Sequence, residues 1–209
     1  MTQILESIEV RWFLSADDRN VPSLERLFDT AEDVESRSDF YAPTGREDLG
    51  VKARVSAGAP ARIETKYRTA SLGSREITAG VVGSIERWSK ISLEVAEAER
   101  SPIEQAWRKI GKRRRRRKIA IIDDHTKEIG ADDRVDVGCS AELTKLEFKI
   151  GNKVESEWTF GFEAFSTHAA ELEAVLVASV HHVLGDTAAF LLEAASSRGY
   201  PAWLTERFW

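Results

Sequence analysis

Apolar and polar positions alternate along most of the chain. In the opening stretch ESIEVRWF, Ser7, Glu9 and Arg11 fall on one side of a strand and Ile8, Val10 and Trp12 on the other, because successive strand side chains point to opposite faces. The same test predicts eight strands, over about residues 4–14, 37–42, 50–56, 61–69, 82–95, 107–122, 136–149 and 155–165. Turn chemistry separates them at PTG (43–45), SAGAP (56–60) and GADD (130–133). Helical spacing appears in NVPSLERLFDTA, where Pro22 suits an early turn and Leu24, Leu27 and Phe28 share a face. SPIEQ, from Ser101, reads as a helical turn. Beyond Phe165, Leu172, Val175, Leu176, Val180 and Val183 predict a helix over 167–184 that Gly185 ends. Asp186 then caps a predicted second helix, DTAAFLLEAASS. The tail YPAWLTERFW is expected to pack on the body, since its rings would otherwise expose much apolar area.

The polar faces of the strands are long and charged. Lys52 and Arg54 share one; Arg62, Glu64, Lys66 and Arg68 share another, with Ile63, Thr65 and Tyr67 opposite. Glu86, Trp88 and Lys90 line up, as do Glu157, Thr159, Gly161 and Glu163 against Trp158, Phe160, Phe162 and Phe165. A solvated outer face explains any single strand. Recurrence on most strands, with both signs mixed, fits a closed eight-stranded antiparallel barrel with a polar lumen and helices packed outside, an α+β fold with a C-terminal helical pair. A half-solvated sandwich is the competing architecture.

At 209 residues the expectation is one domain over 1–209, with the barrel strands and their helices in 4–165 and C-terminal helices and aromatic tail in 166–209. A composition 42% hydrophobic and 31% charged argues against overall disorder. The lone Cys139 excludes an intrachain disulfide and suits a reducing compartment. No apolar run approaches the ~20 residues of a membrane span, and Glu6 and Glu9 interrupt the first apolar stretch, so the cytoplasm is the expected location, with no membrane partner. The net charge of −5 hides a concentration of nine basic residues among the eleven from Arg108 to Lys118. An acidic chain with one basic element has a local use for anions.

That run, KRRRRRK at 112–118, sits inside a predicted strand, which puts Lys112, Arg114, Arg116 and Lys118 on one face and Arg113, Arg115 and Arg117 on the other. Only one set can line a lumen; the other would touch RNA phosphates, pair with surface acids or be solvated. Trp88 is either packing or a platform for a base at the lumen's mouth. His125, His168, His181 and His182 have no zinc-like spacing with Cys139. No P-loop and no nucleophile elbow is present.

The ordered set of segments resembles the CYTH superfamily, the triphosphate tunnel metalloenzymes. IEVRWFL resembles the family's opening strand, whose signature is Glu-x-Glu-x-Lys, and a helix follows it. VKAR and IETKYR resemble its basic strands, and SIERWSKIS, KIGKRRR, CSAELTKLEF and WTFGFEAF fall in the order of its later strands. The resemblance spans about residues 4–165. It implies a lumen in which carboxylates hold Mg²⁺ or Mn²⁺ while Lys and Arg hold a linear triphosphate, with hydrolysis of the terminal phosphate as the reaction. On that scheme Glu9, Glu142 and Glu163 hold metal, and Arg11, Lys52, Arg54, Lys66, Arg68, Lys90, Lys112 and Arg114 hold phosphate, with Glu9 and Lys66 as the catalytic pair. Ser7 departs from the signature by removing one carboxylate, and Arg11 replaces its lysine. Ser7 therefore also supports a non-catalytic module that binds a triphosphate, a nucleotide or an RNA end. Inorganic triphosphate, thiamine triphosphate, ATP and RNA 5′ ends present the same oxygens. RNA binding through 112–118 and a homodimer through the aromatic tail complete the expected partners.

Overall fold

The computed structural model describes residues 4–29, 33–54, 61–95, 100–123, 125–166, 171–185 and 189–209. Nine strands run in the chain order β1 (Ile4–Ser15), β2 (Asp33–Tyr41), β3 (Leu49–Arg54), β4 (Ala61–Thr78), β5 (Val81–Val95), β6 (Arg108–Ile122), β7 (His125–Ile129), β8 (Val137–Ile150) and β9 (Lys153–Ser166). The helices are α1 (Val21–Leu27), α2 (Arg100–Ala106), α3 (Leu172–Leu184) and α4 (Tyr200–Phe208). The sheet order is β2-β3-β4-β5-β1-β9-β8-β6-β7, and β2 also pairs with β6. That last pairing, Asp33↔Arg116 through Tyr41↔Arg108, closes eight antiparallel strands into a barrel and leaves β7 as an extra strand beside β6. Closure removes the two sheet edges that a sandwich would have to protect.

Strand parity decides what faces in. Ile8, Val10 and Trp12 point outward into one buried cluster with Ala141, Leu143, Phe160, Phe162 and Ala164, covered by Leu176, Val180 and Val183 of α3 and Leu24 of α1. The aromatic face of β9 is thus covered by helix, as its composition demands. Trp12 stacks on Phe160 at 5.9 Å and donates its indole N–H to the Val82 carbonyl at 2.8 Å. Phe162 is fully buried, so Phe162→Ala should cost about 3–5 kcal/mol in urea unfolding, the transfer loss plus an unfilled cavity. A second outer cluster of Phe40, Ala53 and Ile103 sits beneath α2.

Several elements differ from the sequence expectation. Phe165 lies opposite Ser7, on the same face as Glu163 rather than with Phe160 and Phe162, as a strict period of two requires. β4 runs to Thr78 instead of ending near 69, with register shifts at Arg68/Ala70, Ser71/Ser74 and Glu76/Thr78 that interrupted the alternation. β2 begins at Asp33, earlier than expected, and β7 was not anticipated. Of the predicted helix over 186–197, the described part keeps only one 3-10 turn, Ala194–Ser196. Phe190 and Leu192 are buried while Leu191 is exposed, a period of two rather than helical spacing. Leu192 bridges Val81, and Leu191 exchanges hydrogen bonds with the Asn20 side chain at 2.9 and 3.1 Å. The second C-terminal helix is α4 instead, and it belongs to a different cluster from α3. The expected start of α3 at 167–170, the SAGAP turn (56–60) and His168 lie outside the described residues. The GADD turn closes, with the Gly130 N–H donating to Asp133 at 2.9 Å. No helix among the described residues is long and apolar enough to cross a membrane.

Candidate functional site: the barrel lumen

The inward faces of the strands enclose a cavity of about 310 Å³. Nine cations line it, among them Arg11, Lys66, Lys90 and Lys112, against four carboxylates, Glu9, Glu64, Glu142 and Glu163. Of the sequence candidates, Glu9, Arg11, Lys52, Arg54, Lys66, Lys90, Lys112, Arg114, Glu142 and Glu163 all reach it. Arg68 does not: it pairs with the buried Glu86, beside Trp88.

Three ion clusters organise the wall. In the first, Glu9 and Glu163 face each other in register across β1 and β9, and the Lys66 ammonium from β4 stands between them, paired to Glu9 and 3.4 Å from Glu163. Ser7 donates its hydroxyl to Glu9 at 3.2 Å. In the second, Glu142 on β8 accepts from Arg11 at 3.2 Å and from Arg114 at 3.0 Å, while Arg114 also pairs with Glu35. Gly161 makes room for this: a Cβ there would stand 2.9 Å from the Val10 carbonyl oxygen and 3.1 Å from the Arg11 guanidinium carbon. The third cluster centres on Asp39, which is fully buried. Arg37 and Lys112 each approach its carboxylate to 3.1 Å, Lys52 to 3.9 Å and Arg54 to 4.0 Å. Glu64 holds the outer side of Lys52 and Arg54 at 2.8 and 3.3 Å.

Burial alone would raise the carboxyl groups of Asp39, Glu142 and Glu163, but these cations hold all three well below the usual carboxylate range. The same burial pushes Lys52, Lys66 and Lys112 down from the usual lysine value, partly offset by Asp39, Glu64 and Glu163. The wall thus sets buried carboxylates against cations at close range, a setting in which an incoming anion meets pre-oriented N–H donors.

The C-terminal segment closes one end of this lumen. Ser197 bridges Trp12, and Arg198 donates its backbone N–H to the Arg11 carbonyl at 2.9 Å. From there α4 enters the barrel mouth. Trp203 stacks on Phe13 at 5.0 Å, meets Phe148 edge-on and donates to Glu157 at 2.8 Å. With Tyr41, Ile110, Leu146 and Leu204 it forms an aromatic plug on the inward face. Tyr200, Pro201 and Leu204 become the cavity floor. The tail therefore packs on the body as expected, Trp209 excepted at 47% exposed.

The basic run divides as strand parity requires. Lys112, Arg114 and Arg116 line the lumen. On the outer face Arg115 pairs with Asp29 at 3.1 Å and Arg117 with Glu128 at 2.6 Å, while Arg113 is exposed beside Lys145. Trp88 is 1% exposed and lines the wall, so it is not a platform at an open mouth. Cys139 is buried outside the lumen, its thiol pushed up to about 12 by burial, which makes it unreactive. Sequence reasoning missed Arg37, Asp39 and Tyr41, although their shared parity on β2 was readable, and Arg116, which shares the parity of Lys112 and Arg114. Tyr200 carried no such signal.

The carboxylates expected to hold Mg²⁺ or Mn²⁺ do not fit a preformed cation site as they stand. Among the described residues no group of three His, Cys, Asp or Glu side chains is placed to hold a metal. Lys66 occupies the position between Glu9 and Glu163, and two guanidiniums take Glu142.

No family model and no curated protein matches the chain. Among solved structures, HpAC1 from Hippeastrum, classed as an adenylyl cyclase and described as having a dominant triphosphatase activity, aligns over 85% of this chain and 87% of its own, with 9% sequence identity and a TM-score of 0.35. No residue role is carried over at that level of likeness.

Proposed function

We propose that this protein binds the triphosphate portion of a small molecule in the barrel lumen, with the chain of phosphates inserted from the end opposite α4. One observation carries the proposal: nine cations line the cavity against four carboxylates, and the count still favours the cations when Asp39 and Glu35 behind the wall are added. A linear polyphosphate matches that charge and shape, since each phosphate offers oxygens to several Lys and Arg donors at once. The sequence resemblance to the triphosphate tunnel family supports the same ligand class. Lys52, Lys66, Lys90, Lys112, Arg11, Arg54 and Arg114 would hold the phosphates; Arg68, engaged with Glu86, would not.

Binding rather than hydrolysis is the primary reading, because the acidic residues here serve as counter-ions. Metal-dependent hydrolysis of the terminal phosphate is the second, favoured by the direct facing of Glu9 and Glu163. Titration calorimetry with tripolyphosphate in EDTA, then in Mg²⁺ and in Mn²⁺, separates the two. Binding in EDTA at micromolar Kd or better, weakening with salt, is the expected result. Binding and phosphate release that both require the metal would establish the second reading. Absence of binding under every condition would overturn both. RNA captured instead by the outer face would bind equally well with the lumen variant Lys112→Ala.

A further inference from the structure

The α4 end of the lumen holds two hydrogen-bond donors with nothing to donate to. The indole Nε1 of Trp88 and the hydroxyl of Tyr200 are both buried and without a partner among the described residues. Both residues line the same cavity. An indole N–H can only donate, and a buried donor left unpaired is uncommon enough in folded proteins to require a reason.

Their surroundings specify the acceptor. The Tyr200 ring stacks against Tyr41 at 6.0 Å, and the Lys112 ammonium and Arg11 guanidinium lie 4.1 and 4.9 Å from its centroid. Burial raises the phenol above its ordinary value, so it remains a protonated donor at neutral pH. Around Trp88 the cations are Lys66 and Arg68, 5.8 and 6.0 Å from its ring centroid; a neutral donor with two cations at each ring calls for an oxyanion. The plug of Trp203, Phe13 and Phe148 fills the barrel beyond, so a phosphate chain reaching this floor must end there.

We propose that the floor is a subsite for the end of the phosphate chain, in which the Tyr200 hydroxyl and the Trp88 indole N–H donate to oxygens of the terminal phosphate. The subsite presupposes polyphosphate binding in the lumen. It adds selectivity: a terminal phosphate carries an extra oxygen and more charge than an internal one, and a ring of phosphates has no end to insert.

The test compares linear tripolyphosphate with cyclic trimetaphosphate, which has as many phosphorus atoms and no terminus, by calorimetry at fixed ionic strength. Wild type should prefer the linear anion by about tenfold or more, the size of one hydrogen bond to a charged acceptor. Tyr200→Phe should lose that preference by weakening only the linear anion, and Trp88→Phe should act in the same direction. Because the hydroxyl has no partner among the described residues, Tyr200→Phe should unfold at the same temperature or higher. A lower melting temperature would assign the hydroxyl a structural partner and overturn the subsite. So would unchanged tripolyphosphate affinity in Tyr200→Phe, or equal affinity of wild type for both anions. Wild type that binds neither anion would remove the lumen reading and the subsite with it, an outcome distinct from the failure of the subsite alone.

Discussion

Asp39→Ala is expected to destabilise the protein by about 3–5 kcal/mol in chemical denaturation, the cost of stranding buried charge. The loss falls mainly on Lys112. Arg37 keeps Glu35 at 3.0 Å, and Lys52 and Arg54 keep Glu64. Lys112 is 7% exposed and keeps the Tyr41 hydroxyl at 2.6 Å, the Tyr200 ring and the more distant Glu142, but has no other carboxylate in ion-pair contact among the described residues. Pairing Asp39→Asn with Lys112→Met should therefore recover most of the stability lost by Asp39→Ala, since a buried ion pair replaced as a unit leaves no uncompensated charge. Loss of equal size in the double variant would show that Asp39 acts through the whole cation fan and not through Lys112. Tripolyphosphate should raise the melting temperature of Asp39→Ala, because a ligand bound only by the folded state stabilises it.

The pH dependence follows from the same clusters. Asp39, Glu142 and Glu163 have folded-state values below their unfolded ones. Their contribution is fully present above the unfolded values, near 4 for both side-chain types. It is lost as pH falls from about 5 toward the folded values. Stability should stay flat from neutral pH to about 5 and then drop, and Asp39→Ala should show a shallower acid limb than wild type.

Glu142→Gln is expected to tighten tripolyphosphate binding by about tenfold or more. Glu142 competes with any phosphate for Arg11 and Arg114, both within 3.2 Å, and a unit charge at 4 Å exerts roughly 4 kcal/mol of gross Coulomb energy at an effective dielectric of about 20. Most of that is offset by the loss of preorganisation when the two guanidiniums are released, which leaves the net gain nearer tenfold. The variant should also be less stable, as Arg11 is 9% exposed and loses its carboxylate. The opposite sign would be informative: weaker binding in Glu142→Gln, with wild-type binding abolished by EDTA, would make Glu142 the metal ligand that the tunnel resemblance implies.

The two substitutions probe the choice left by Ser7. Ser7 and Arg11 stand where the resembled signature has a glutamate and a lysine, and the cavity that Arg11 borders is lined by nine cations. Its remaining acids are engaged in holding cations apart and in place. In the first cluster the Ser7 hydroxyl supplies Glu9 with a donor where a second carboxylate would have repelled it. Ser7→Glu would put that repulsion beside Lys66, a cation that Glu9 and Glu163 share.

Strand parity was legible from the chain alone because it is a local property. A period of two assigns Glu9, Arg11, Lys66, Lys112, Glu142 and Glu163 to one side wherever the strands end up, and covering the Phe160–Phe162 face requires helices on the other. The alternation therefore determined that the sheet has a charged side and an apolar side. It misread the stretch about Phe190 to Leu192, where small and apolar residues favour helix locally but Leu192 pairs with distant Val81 and Leu191 with Asn20. It also could not rank Arg68 below its neighbours, because that depends on Glu86, a partner on the adjacent strand. Closure through β2 and β6, the meeting of four cations at Asp39 and the entry of α4 all join residues far apart in the chain. Only the folded barrel could decide them, since their energies come from burial and charge neutralisation that exist once the strands have met, and it is this packing that turned a charged strand pattern into a cavity with a floor at Tyr200.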